Sequence, residues 1–300
     1  MRVRRWILAA LCPTLLAACG MPGGVDGDLT NGWGAMEPAT GFQPAAGTCH
    51  GANFDPVGSR WTYEDVDCKQ QHRTETVYVG TYNSPAADAA EPPAAGSDAA
   101  KAEYRICDRQ TTTYLGGPWR TARIWIGVTR PTAAAWTGGA RWFRCEALEL
   151  SSVEDNGVLV QRTGTLRNAL AGGPSDLRLT CYAVATDSSG AIAGMPGVGC
   201  SAKHNAEFAG VWYAKGLAYP KDAKAWSTFH DGCRAVVASY VKVPNDKDLQ
   251  YRTGVISLPG SAEVWQAGDH GVRCYLWMDG AELTSSLQGK GAKSLPVQYK

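Results

Sequence analysis

Eight cysteines fall into two quartets of one shape, and that repetition limits what the chain can fold into. Cys49 and Cys68 lie 19 positions apart, as do Cys181 and Cys200. The following steps are 39 and 38 in the first quartet, through Cys107 and Cys145. They are 33 and 41 in the second, through Cys233 and Cys274. A duplicated module stapled by disulfides is the expected architecture. Four cysteines allow three pairings per module. The equal 19-residue steps favour the sequential pattern, Cys49–Cys68, Cys107–Cys145, Cys181–Cys200 and Cys233–Cys274. Closing loops of this size stabilises by roughly 3 kcal/mol each in the chain-entropy model.

Disulfides persist outside the cytoplasm, and the N-terminus reads as an export signal. Arg2, Arg4 and Arg5 precede an apolar stretch, Trp6 to Ala18, broken by Pro13. A membrane-spanning helix needs roughly 20 residues, so residues 1–18 are expected to be a signal peptide. Leu16-Ala17-Ala18-Cys19-Gly20 has the form of a bacterial lipobox, which implies cleavage before Cys19 and a diacylglycerol thioether on its sulfur. The alternative is an ordinary signal peptide that leaves Cys19 a lone thiol. No later segment is long and apolar enough to cross a membrane. The expectation is a protein held at the extracytoplasmic side of the cell membrane by its lipid. Removing three arginines with residues 1–18 leaves 26 Lys+Arg against 28 Asp+Glu. That balance makes no electrostatic case for nucleic acid.

The expected organisation follows from composition and landmarks. Residues 19–46, rich in Gly, Pro and Ala, form a flexible tether. A first module covers 47–170 and a second 177–288, with a break at Ala171-Gly172-Gly173-Pro174 and a tail over 289–300. Cys68-x-x-x-His72-x-x-Glu75 matches Cys200-x-x-x-His204-x-x-Glu207. Alternating strands follow over 75–82 and 207–213. Helices carrying the third cysteine are expected over 99–108 and 226–240, with Tyr114 and Tyr240 each seven residues beyond that cysteine. Trp136-x-x-Gly139 and Trp265-x-x-Gly268 then precede strands over 141–150 and 270–278, which hold the fourth cysteine. Short strands near Thr165 and Ser286 close each module. The Ala/Pro-rich insertion 84–98 reads as a mobile loop. The fold class is α+β, two tandem modules, each a small antiparallel sheet with one helix.

These landmarks resemble the septum-formation domain of actinobacterial envelope proteins. In the second module the resemblance runs through Cys200-Ser-Ala-Lys-His204-Asn205-Ala206-Glu207, Cys233, Trp265-Gln-Ala-Gly268-Asp269 and Val272-Arg273-Cys274. The first module departs from it: Gln71 to Glu75 replaces the small residues around His72, and Gly139-Ala140-Arg141 lacks the acid after glycine. The resemblance implies a cell-envelope role near division or wall growth, and it carries no catalytic residues.

Candidate chemistry is sparse. No Cys-x-x-Cys offers an attacking thiol. Zinc on Cys-x-x-x-His would need thiolates that disulfides remove, so neither a metal nor a cofactor is expected. His72 with Glu75, and His204 with Glu207, could do acid–base work or could lock a turn. The second role is the expected one. No Gly-x-Ser-x-Gly, Ser-x-x-Lys or His-Glu-x-x-His motif occurs. Trp119, Trp125, Trp136 and Trp142 could form a glycan-stacking face or fill a core. The reading is a non-catalytic binding module for an envelope protein or wall component. A glycan-binding module and an envelope enzyme centred on His204 are the alternatives.

Overall fold

The computed structural model describes residues 41–60, 63–154 and 157–298. The export segment, Cys19 and residues 19–40 of the tether lie outside the described residues. The first half of the chain runs β1 (Thr48–His50), β2 (Val57–Gly58), β3 (Asp65–Val66), β4 (Thr74–Thr81), α1 (Asp98–Leu115), β5 (Ile124–Pro131), α2 (Ala133–Thr137) and β6 (Trp142–Glu149). The second runs β7 (Cys181–Tyr182), β8 (Ala185–Thr186), β9 (Ile192–Gly194), β10 (Gly197–Val198), β11 (Ala206–Tyr213), α3 (Ala223–Val241), β12 (Gly254–Pro259), α4 (Ala262–Ala267) and β13 (Gly271–Trp277). The fold is α+β.

The two main sheets share an ordering. One is β2-β5-β6-β4-β1-β3, the other β10-β7-β11-β13-β12, so β1, β4, β6 and β5 take the places of β7, β11, β13 and β12. Both share a defect as well. A β-bulge falls between Thr76 and Tyr78 opposite Glu146 and Cys145, and between Phe208 and Gly210 opposite Tyr275 and Cys274. The sheets are antiparallel except that β2 joins β5 in parallel at Val57 and Arg130.

One long helix packs on one face of each sheet. Ser97 caps α1 by accepting from the Ala100 N–H, and Gly116 ends it with a left-handed φ of 74°. The cost of a backbone turned this way is lowest for glycine. Asp222 caps α3 in the same manner. Helix α1 extends well past Asp108 through Thr111, Thr112 and Thr113. Weak helix propensity of β-branched residues is overridden because Thr111, Tyr114 and Leu115 continue the buried face of Ala100, Tyr104 and Cys107. Leu115, Ile124, Ile126, Trp136 and Phe143 centre the first core. Phe229, Trp265 and Val272 lie under α3 in the second half.

All four disulfides follow the sequential pattern, with Cα separations of 5.1–5.2 Å. Two tie β1 and β7 to the turns after β3 and β10, and two tie α1 to β6 and α3 to β13.

Two expectations need correction, the single helix per half and the closing strands. Each half adds a one-turn helix, α2 or α4, to its long one. The closing segments near Thr165 and Ser286 are not strands; single bridges, His72 with Arg162 and His204 with Leu283, stand there instead. The Leu166 and Leu287 N–H groups are instead taken by carboxylate side chains. The tail is packed: Leu295 is fully buried, and Gly289 and Gly291 donate to Tyr240 and Val241 carbonyls. In the 84–98 insertion, Trp136 Nε1 donates to Ala89 O at 2.8 Å, Arg141 Nε to Ala87 O at 2.6 Å, and Ala86 packs on the core.

A buried cation joins the halves. Arg120, in the turn Trp119–Thr121, pairs with Asp108 at 2.5 Å and with Asp269 at 2.7 Å. It also stacks on Trp119 at 4.3 Å. Arg273 Nε donates back to Arg120 O at 3.1 Å, and Tyr275 donates to Glu154 at 2.6 Å.

Candidate functional site

The residues repeated most faithfully in sequence meet in space as twin knots of buried polar groups. Glu75, second in β4, stands directly opposite Cys49, and Glu207, second in β11, stands directly opposite Cys181. Each glutamate thus stands beside a disulfide at the strand entrance, on the helix side of its sheet. Seven residues along an α-helix is two turns, which returns a side chain to the same face. Tyr114 therefore reaches Glu75 from the face that carries Cys107, and Tyr240 reaches Glu207 from the face that carries Cys233.

Both carboxyl groups are fully buried and surrounded by donors. Glu75 accepts from the Tyr114 hydroxyl, the Thr165 hydroxyl and, at 2.6 Å, the Leu166 backbone N–H. Glu207 accepts from the Tyr240 hydroxyl at 2.6 Å, the Ser286 hydroxyl at 2.8 Å and the Leu287 N–H at 2.8 Å. This is where the closing segments spend their backbone: they run to a side chain instead of into the sheet. Burial, reinforced by the Glu207 hydrogen bond, pushes the Tyr240 phenol up, and the same causes raise Tyr114. Both phenols remain donors at neutral pH.

The histidines complete the knots from the turn side. His72 Nδ1 sits 2.9 Å from Gln70 O, and His204 Nδ1 sits 2.8 Å from Ala202 O. A carbonyl can only accept, so Nδ1 carries the hydrogen in both rings. His204 Nε2 then faces Glu207 Oε1 at 3.3 Å. His72 Nε2 is buried without a partner. The knots are thus alike in donors and differ in this contact.

Cys49, His72 and Glu75, and likewise Cys181, His204 and Glu207, place one potential ligand atom each within 4.8 Å. The donor set does not suit zinc. Each sulfur is bound in a disulfide and gives no thiolate, and each carboxyl group is already filled by three donors. The four residues of the two pairs are at most 2% exposed. Chemically, the arrangement locks helix, sheet entrance and closing segment together.

The tryptophans do not form one platform. Trp119, Trp136 and Trp142 are buried, while Trp125 is half-buried on the face of β5 opposite Ile124 and Ile126. Sequence reasoning missed Arg120 and the polar cluster of His50, Thr76, Arg144 and Glu146, which lies on the sheet face away from α1. The acid after Gly268 was the available signal for the former, since Asp269 holds Arg120.

A family model described as septum formation matches residues 46–274. No curated protein and no solved structure matches the chain.

Proposed function

Since this chain belongs to the septum-formation family, which links it to septation, we propose that it acts there as a non-catalytic binding protein of the cell envelope. The supporting observation is the closure of the twin knots: the repeated His/Glu pairs, its best acid–base candidates, are consumed in holding the fold. We read the halves as two tandem copies of one module. Common strand order, the common bulge and the common knot support this. The lipobox form of Leu16 to Gly20 supports a lipid anchor at Cys19, facing the extracytoplasmic side. The partner is an envelope protein or a wall component.

Two experiments test the reading. Cys19→Ser should release the protein from the membrane fraction, and retention there would end the anchor proposal. His204→Ala should lower thermal stability yet still complement a septation defect at a temperature where it folds. A well-folded His204→Ala protein that fails to complement would instead point to chemistry at His204. A glycan-binding reading stands second, favoured by the half-buried Trp125 beside Phe54.

A further inference from the structure

The faces of the two sheets that point away from α1 and α3 are built differently. At register-equivalent positions the first half carries His50, Thr76, Thr129, Arg144 and Glu146 where the second carries Tyr182, Phe208, Leu258, Arg273 and Tyr275. The second half shows that this sheet closes well under aromatic and aliphatic cover. Of the set, only the arginine is common to both sheets.

His50, Thr129, Arg144 and Glu146 floor a pit of about 20 Å³ rimmed by the exposed Ala52, Asn53 and Asp55 and the half-buried Phe54. The volume admits one water-sized group. Arg144 is 7% exposed, and its Nε lies 3.2 Å from Glu146 Oε1. Even so, Nε and Nη1 have no hydrogen-bond acceptor. Glu146 takes the Thr76 hydroxyl at 3.0 Å, and Thr76 meets His50 Nε2 at 2.8 Å. Leaving a buried guanidinium N–H unpaired is costly. Its equivalent, Arg273, is supplied with an acceptor, the Arg120 carbonyl. Arg144 also lies over the Tyr63 ring at 4.8 Å, so what its Nη1 lacks is an acceptor oxygen, which a group entering the pit would supply.

Charge and shape narrow its nature. Arg144 and Glu146 offset one another as an ion pair. Burial first, and Arg144 second, hold His50 down to about 4, so it is neutral at neutral pH. An anionic ligand would bring an uncompensated charge. Phe54, seated where a Cβ on Gly127 would be, walls the pit. It packs edge-on against Trp125 at 4.9 Å, and both also border a more apolar hollow of about 170 Å³.

We propose that this pit is the seat of a neutral glycan, with a sugar hydroxyl or acetamido carbonyl accepting from Arg144 Nη1. The ring's apolar face lies along Phe54, which Trp125 backs from the side of the apolar hollow. This rests on the binding reading above and narrows it to one site in the first half.

The test is calorimetric titration of the intact mature chain with chitotetraose, a neutral oligomer of N-acetylglucosamine. Saturable binding is expected, at least tenfold weaker in two variants. Ala52→Trp fills the exposed rim without touching the core. Arg144→Met with Glu146→Met removes both charges together, and Ala52→Trp keeps the test decisive if that pair fails to fold. No saturable binding, equal affinity in Ala52→Trp, or binding confined to carboxylated glycans or to peptides would overturn the proposal. In-cell cross-linking of the chain to envelope proteins reads the broader binding role separately, so either can fail alone.

Discussion

His50 and Glu207 show how a single buried group couples this fold to its conditions. The folded chain holds His50 at about 4, below its ordinary 6.5, so between those values the unfolded chain binds the extra proton. Stability is therefore intact above pH 6.5 and falls as the pH drops from 6.5 toward 4, by at most about 1.4 kcal/mol per pH unit from this group. Urea titrations across that window should show the slope. His50→Asn should flatten it, and an unchanged slope would refute the assignment. At Glu207, Tyr240→Phe deletes one of three donors and should cost roughly 1–3 kcal/mol, read as a lower urea midpoint at constant m-value. Tyr114→Phe should cost a similar amount, because Glu75 is surrounded by equivalent donors.

Helices and strands differ in how openly the sequence announced them. The strands over Glu75 and Glu207 were legible from alternation, since one face meets a helix and the other does not. Helix α3 was legible in place and nearly in length, whereas α1 was legible in place only, because Thr111 to Thr113 disfavour helix locally and burial against the sheet carries it onward. The closing segments were misread as strands: Leu166 and Leu287 have strand-like neighbours, but their N–H groups go to Glu75 and Glu207. The His/Glu pairs were legible as a repeat, and their closed geometry was not. The Arg144 cluster gave no local signal at all, since its members come from β1, β4 and β6. For the elements themselves, replacing Cys233 and Cys274 by Ser removes the tie between α3 and β13, a separation of 41 residues. The chain-entropy cost is roughly 4 kcal/mol, and it should appear as a lower melting temperature. A melting temperature equal to the parent's would show that α3 is held by packing alone.

Across the whole molecule, Arg120 is the one buried cation shared by Asp108 and Asp269, and it explains why only the second half carries an acid after the glycine of its Trp-x-x-Gly. The pin is needed once, between halves, so Ala140 in the first half has no such duty. Asp269→Asn leaves Arg120 short of a buried charge partner and should cost about 3–5 kcal/mol. Unfolding should lose its single cooperative transition and separate into two, which calorimetry would reveal; a single unshifted transition would deny Arg120 that role. The disulfides carry a last consequence. Among the described residues every one closes inside its own half, while Ala171 to Pro174 is exposed backbone. A cut there would leave no covalent bond between two separately cross-linked pieces. The two pieces would then meet through non-covalent contacts alone, the Arg120 pairing with Asp269 and the Tyr275 bond to Glu154 among them.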